Sequence, residues 1–166
     1  SEDYTSDDAD ICSDSTWETG VSYSAFLLVS GPTLSYHTGP KSAYSGDYYA
    51  YCETSNSIYC DLQTREFPEG IASVTFKYNM YGYAMGTVEL QTSDDATIWS
   101  TTWSKDGDQG VSWLNASITV DGNPKYVRFF YESSYYTSYY YWYGDFALDN
   151  VIVAAATPQP TSTPIP

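Results

Sequence analysis

The chain has 166 residues, enough for one domain with a buried core. Six Lys and Arg stand against 21 Asp and Glu, a formal charge of −15. Such a surface repels phosphate backbones, anionic headgroups and sulfated polysaccharides, and favours multivalent cations, calcium above all, given so many carboxylate oxygens. Nineteen Tyr, five Trp and six Phe among many Ser and Thr suit pleated strands better than helices. No stretch approaches the ~20 apolar residues that span a bilayer; no signal peptide is visible, and Ser1 at the start reads as a mature or excised fragment.

In chain order, residues 1–16 form an acidic segment; the first 18 residues carry seven acids, Asp10 and Asp14 among them. This segment reads either as a solvated arm or as a source of ligands folding back onto a cation. Cys12, Cys52 and Cys60 follow, and the short spacing of the last two suits a disulfide closing a small loop, formed in an oxidising compartment. Cys12 is left over, with a bridge to either of the other two or to a neighbouring molecule still open.

Short strands between turns are expected from residue 25 onward. Residues 25–30 and 47–53 come first, then 71–79, where Val74, Phe76 and Tyr78 alternate, and 86–92, with Val88 and Leu90. Leu114, Ala116, Ile118 and Val120 mark a half-buried strand. Asp121-Gly122-Asn123-Pro124 turns into 125–132, where Val127, Phe129 and Tyr131 share a face. The last strand runs over 145–153. No helical stripe is evident, so the class is an antiparallel β-sandwich or barrel. Residues 157–166 hold four Pro and four hydroxyl residues, a polyproline-type stalk, so the folded unit covers 17–156.

On a period of two, the last strand places Phe146, Leu148, Asn150 and Ile152 on one face and Ala147, Asp149, Val151 and Val153 on the other. A carboxylate among apolar neighbours needs a partner, and with so few basic residues a bound calcium is the economical one. Asp149 is its expected centre, with Asp145, Asp47, Asp14 and Asp10 as further ligands; the competing reading is hydrogen bonding to backbone amides. His37, in a Gly-Pro loop, is expected to fix that loop by a hydrogen bond. Trp103 and Trp113, on strands either side of Gly107-Asp108-Gln109-Gly110, are expected to pack in the core.

Several stretches occur in an order that resembles the MAM domain family: Gly31-Pro32-Thr33 with His37-Thr38-Gly39; Tyr44 to Tyr51; Phe76-Lys77-Tyr78-Asn79-Met80-Tyr81-Gly82 before Gly86-Thr87-Val88-Glu89-Leu90; Trp103 to Trp113; and Gly144-Asp145-Phe146-Ala147-Leu148-Asp149-Asn150. The resemblance implies a two-sheet jelly roll, extracellular and adhesive rather than enzymatic. It also implies a structural calcium joining the last strand to the N-terminal segment. Three departures stand out. The family's Asp before His-Thr is Tyr36, its paired Asp is Asp149-Asn150, and its four cysteines are three.

Two features lie outside the family pattern. Asn115-Ala116-Ser117 is an N-glycosylation sequon. Tyr135, Tyr136, Tyr139, Tyr140, Tyr141, Trp142 and Tyr143 form a dense aromatic loop, rigid amphipathic area of the kind binding loops present. The leading expectation is therefore an adhesion module contacting a protein, copies of itself included. The alternative is a carbohydrate-binding module that stacks sugars on these rings.

Overall fold

The computed structural model describes residues 4–5, 17–19, 26–55, 59–134 and 143–157. The described residues contain eleven strands: β1 (Tyr4–Thr5), β2 (Trp17–Thr19), β3 (Leu27–Val29), β4 (Tyr49–Cys52), β5 (Tyr59–Thr64), β6 (Ile71–Met80), β7 (Thr87–Ser93), β8 (Ser100–Asp106), β9 (Gly110–Thr119), β10 (Tyr126–Glu132) and β11 (Phe146–Ala155). The first sheet runs β3-β4-β11-β6-β9, with β1 also on β11; the second runs β2-β5-β10-β7-β8. Every pairing is antiparallel. The architecture is the expected β-sandwich. β1, within the segment expected to be a separate acidic arm, pairs Tyr4 with Val153.

Alternation explains why these sheets face each other. Val74, Phe76 and Tyr78 from β6, Val88 and Leu90 from β7, and Val127, Phe129 and Tyr131 from β10 enter one continuous core. Phe76 lies near its centre, edge-on to Phe129 at 4.8 Å and to Trp103 at 5.2 Å between ring centroids. Trp103 thus packs against the core as expected. Trp113 instead lies on the far side of the first sheet, against Tyr49 at 5.6 Å. The expected disulfide is present: Cys52 of β4 is bonded to Cys60 of β5, tying the two sheets together across a separation of eight residues. Closing so short a loop stabilises by about 2–3 kcal/mol.

The last strand departs from its expected pattern. Its register with β6 shifts between Asp149 and Ile152, and Asn150 takes φ 46°. This bulge reverses the alternation, so Val151 and Val153 join Phe146 and Leu148 in the main core while Ala147 belongs to a separate cluster on the outer face. Asp149 is therefore not on the face of Val151 and Val153. A left-handed backbone suits Asn or Gly and strains a β-branched residue. Asn150→Gly should leave chemical-denaturation stability nearly unchanged, whereas Asn150→Val should lower it by about 1–2 kcal/mol; equal stability of the two would refute the assignment of the bulge to this residue.

Candidate functional site

Between β3 and β4 the chain leaves the sheet edge and lies over the outer face of the first sheet. Its apolar contacts there are few: Tyr49, Tyr51 and Ala147 are buried, with Val29, Ala43 and Trp113 packed against them. Polar anchors do the rest. The Tyr49 hydroxyl donates to the carbonyls of Gly31 (2.8 Å) and Pro40 (3.2 Å), and the Trp113 indole to that of Ser42 (3.0 Å). The Lys77 ammonium sits 4.5 Å over the Tyr44 ring. Asp149, 2% exposed, receives the amides of Tyr44 (2.7 Å) and Ser45 (3.1 Å) on Oδ2 and that of Asn150 (2.7 Å) on Oδ1. Both its oxygens are used by backbone amides, which is the competing reading of this residue rather than the cation-centred one. Asp47 is exposed, and Asp10 and Asp14 lie outside the described residues.

A buried carboxylate close to this covering segment, Asp145 at the entry to β11, lacks a full set of partners. It is 0% exposed. Its Oδ1 accepts from the amide (3.1 Å) and hydroxyl (3.2 Å) of Thr54, while Oδ2 is buried with no hydrogen-bond partner among the described residues. Beside it, Glu53 is 4% exposed and draws in the Tyr51 hydroxyl (3.3 Å), the Ser35 hydroxyl (3.3 Å), and the amide (3.1 Å) and hydroxyl of Ser55. Burial, then the neighbouring Glu53 charge, pushes the Asp145 carboxyl up to about 7, against the lowering effect of Thr54 and Thr33. The Tyr51 and Tyr49 hydroxyls rise too, through burial first and then through nearby anionic groups, Asp145 among them.

Thr38 joins this acidic pair to the end of the sandwich. Its hydroxyl donates to the Tyr81 carbonyl (2.9 Å) and accepts the Asp145 amide (2.8 Å), and Thr33 donates to its carbonyl (3.0 Å). The bonds that fix the loop are thus made by Thr33 and Thr38, whereas His37 is exposed, at φ 60°, with its ring edge-on to Tyr143. Thr38 also bridges to Gly82, where a Cβ would come within 2.1 Å of the Tyr143 carbonyl. These close approaches hold three segments together at one end: 30–40, 81–86 and the approach to β11. From them project Leu34, Tyr36 and Tyr83, which are 81%, 83% and 80% exposed.

Of the expected aromatic loop, Tyr143 is described and half-buried, while Tyr135, Tyr136, Tyr139, Tyr140, Tyr141 and Trp142 lie outside the described residues. The chain nonetheless enters and leaves that segment at this same end: Ser134 donates to Ala84 (3.2 Å), and Ala84 donates to Tyr143 (3.0 Å). Sequence reasoning missed Glu53, Thr33, Leu34 and Tyr83. The usable signal for Glu53 was a carboxylate directly after the disulfide cysteine of a wholly buried strand. Asn115 is exposed on β9, an edge strand of the first sheet.

A model of the MAM domain family (meprin/A5/mu) matches residues 7–158, and the chain belongs to this family. Human MAM domain-containing protein 2 is 35% identical over 97 residues, 53% of this chain and 14% of that protein. Thyroid hormone-induced protein B of Xenopus laevis is 26% identical over 107 residues, 59% of this chain and 16% of that protein. The matched segments are therefore a small part of those relatives. Among solved structures, the K2 cleaved adhesin domain of Lys-gingipain has a TM-score of 0.63 at 15% identity, covering 92% of this chain and 99% of its own. TmCBM61 in complex with β-1,4-galactotriose has a TM-score of 0.51 at 14% identity, covering 84% and 88%. These likenesses establish the fold.

Two expectations follow from the acidic pair and its neighbour. The folded protein holds the Asp145 proton up to about pH 7, while an unperturbed carboxyl releases it near 3.8. The folded state then binds more protons across that window, so with chelator present Asp145 contributes thermal stability that is full below about pH 4 and is lost as pH rises to about 7. Asp145→Asn should flatten that slope; an unchanged slope would assign it elsewhere. Asp149→Ala leaves the Tyr44 and Ser45 amides unpaired, which should cost about 1–3 kcal/mol and speed hydrogen exchange at those two amides.

Proposed function

We propose that this chain is an extracellular adhesion module that contacts a protein partner, copies of itself included, through the end of the sandwich bearing Leu34, Tyr36 and Tyr83. The observation that carries this reading is their exposure: three large apolar side chains stand 80–83% open on segments that hydrogen bonds hold in place. Contact there buries aromatic area without first ordering a loose loop, a saving in conformational entropy. A buried disulfide accords with an oxidising, extracellular setting. A glycan on Asn115 would sit on the edge strand β9, within the first sheet.

Calcium belongs to this proposal as a structural ion. The fit lies at Asp145 rather than Asp149: a buried carboxylate oxygen without a partner, a second buried carboxylate on Glu53, and threonine hydroxyls, an all-oxygen set of the kind calcium takes. Among the described residues no group of three or more His, Cys, Asp or Glu is arranged to hold a metal. Further oxygens would come from hydroxyls, carbonyls or the acidic segment around Asp10 and Asp14. An enzymatic role has less support, because this carboxylate pair is buried away from any substrate.

The test is aggregation of beads coated with the chain, with calcium, with chelator and with free sugars. Calcium-dependent clumping unaffected by sugars, and abolished by Tyr36→Ser with Tyr83→Ser, is expected for self-contact. If the beads stay dispersed throughout, the coated beads are next offered immobilised candidate proteins. Capture that these substitutions do not weaken would sink the assignment to this end.

A further inference from the structure

The outward face of the second sheet is a separate surface with its own chemistry. Alternation sends Val127, Phe129 and Tyr131 of β10 into the core and turns Arg128 and Phe130 outward; on β7 it turns Glu89 and Gln91 outward, and on β5, Tyr59 and Gln63. All six outward residues keep partial exposure. Strand register sets them in rows across the sheet. One row runs Gln63, Arg128, Gln91, Thr101; the next runs Asp61, Phe130, Glu89, Ser104.

Within this grid the side chains fix one another. Arg128 donates to Gln91 Oε1 at 2.6 Å and lies 4.4 Å over the Trp99 ring and 5.4 Å over the Phe130 ring. Gln91 in turn donates to Glu89, which also accepts the Thr101 hydroxyl at 3.0 Å. Tyr59 stacks near-parallel on Phe130, 27° between planes and 6.0 Å between centroids. The rings are therefore held in orientation as a stacked Tyr59–Phe130 pair and a separate Trp99, with the Arg128 guanidinium over both Trp99 and Phe130 and amide, carboxylate and hydroxyl groups alongside.

We propose that this face binds a neutral oligosaccharide. A sugar ring has apolar C–H faces, which pack on aromatic rings, and equatorial hydroxyls, which pair with the planar amides and carboxylates set between those rings. The rows cross the strands from β5 to β8, a span of roughly 14 Å at ordinary strand spacing, which suits a short chain of sugars rather than one ring. A protein hot spot would call for a broad contiguous apolar area, and here the stacked Tyr59–Phe130 pair and Trp99 are each bordered by polar groups. Neutrality follows from charge: partly exposed Glu89 and the buried Asp61 flank Phe130, Arg128 is already engaged, and the chain as a whole carries −15. Uronic and sulfated glycans are repelled. This site does not depend on the protein contact proposed for the sandwich end.

The experiment titrates cello-, manno- and galacto-oligosaccharides, with heparin as the anionic control, into the isotopically labelled chain and follows amide chemical shifts. At least one neutral series should move amides of β5, β7 and β10 while leaving 34–37 and 81–85 unmoved. Trp99→Ala and Tyr59→Ala should each weaken that binding about fivefold to tenfold; preserved spectra would show that both variants still fold. Arg128→Lys retains the charge, loses the planar group, and should also weaken it. Absence of shifts with every neutral series overturns the proposal, as does heparin binding more tightly than all of them. Saccharide binding that survives Trp99→Ala with Tyr59→Ala but is lost in Tyr83→Ser overturns it equally.

Discussion

The first sheet turns on β11, which pairs with β4, β6 and β1, and β11 turns on one bulge. Before Asn150 the strand sends Phe146 and Leu148 inward; after it, Val151 and Val153 point inward as well. Were Asn150 in regular strand instead, those valines would face outward and Asn150 and Ile152 would turn inward in their place. Asp149, just before it, faces the outer surface, where it takes the amides of Tyr44 and Ser45 and, through the bulge, that of Asn150. One residue at φ 46° thus serves the interior and the covering loop together.

How this acid-rich chain satisfies its carboxylates follows the same logic. With six basic residues for 21 acids, ion pairing is arithmetically insufficient. Backbone amides do the work instead. Asp149 takes three of them; Asp95, exposed, takes those of Thr97 and Ile98 and is held well below the usual carboxylate range, chiefly by Ile98; Asp108 takes that of Gly110. The basic groups are spent partly on aromatic rings, Lys77 on Tyr44 and Arg128 on Trp99. Asp145 departs from the rule, and its raised proton affinity measures the shortfall.

Much of the fold was legible because alternation survives in β6, β7, β9 and β10, where inward Val, Leu and Phe recur every second residue. β5 was not: Tyr59 to Thr64 mixes Cys, Asp and Gln, and its buried positions do not alternate in polarity. The bulge was equally invisible, since Asp149-Asn150 looks like continuing strand until φ is known. That single error of phase placed Asp149 amid apolar neighbours and made a cation its expected partner. Asp145 looked unremarkable beside Gly144, although the disulfide predicted from spacing also brings Glu53 close to it. The expected aromatic loop lies outside the described residues apart from Tyr143, and Leu34 and Tyr83 are isolated residues in loops, with no pattern to flag them.

The two outward surfaces differ in a way that constrains what each can do. At the sandwich end, backbone hydrogen bonds and close glycine contacts fix the segments, and the exposed rings themselves make few contacts; their cost of ordering falls on the side chains alone. On the second sheet the side chains already brace one another through Arg128, Gln91 and Glu89. A ligand that replaces none of those bonds meets a surface set before it arrives, whereas one that takes Gln91 from Arg128 must repay a charge-assisted hydrogen bond. Such a face tolerates ligands that add hydroxyl contacts around the existing network and discriminates against those that break it.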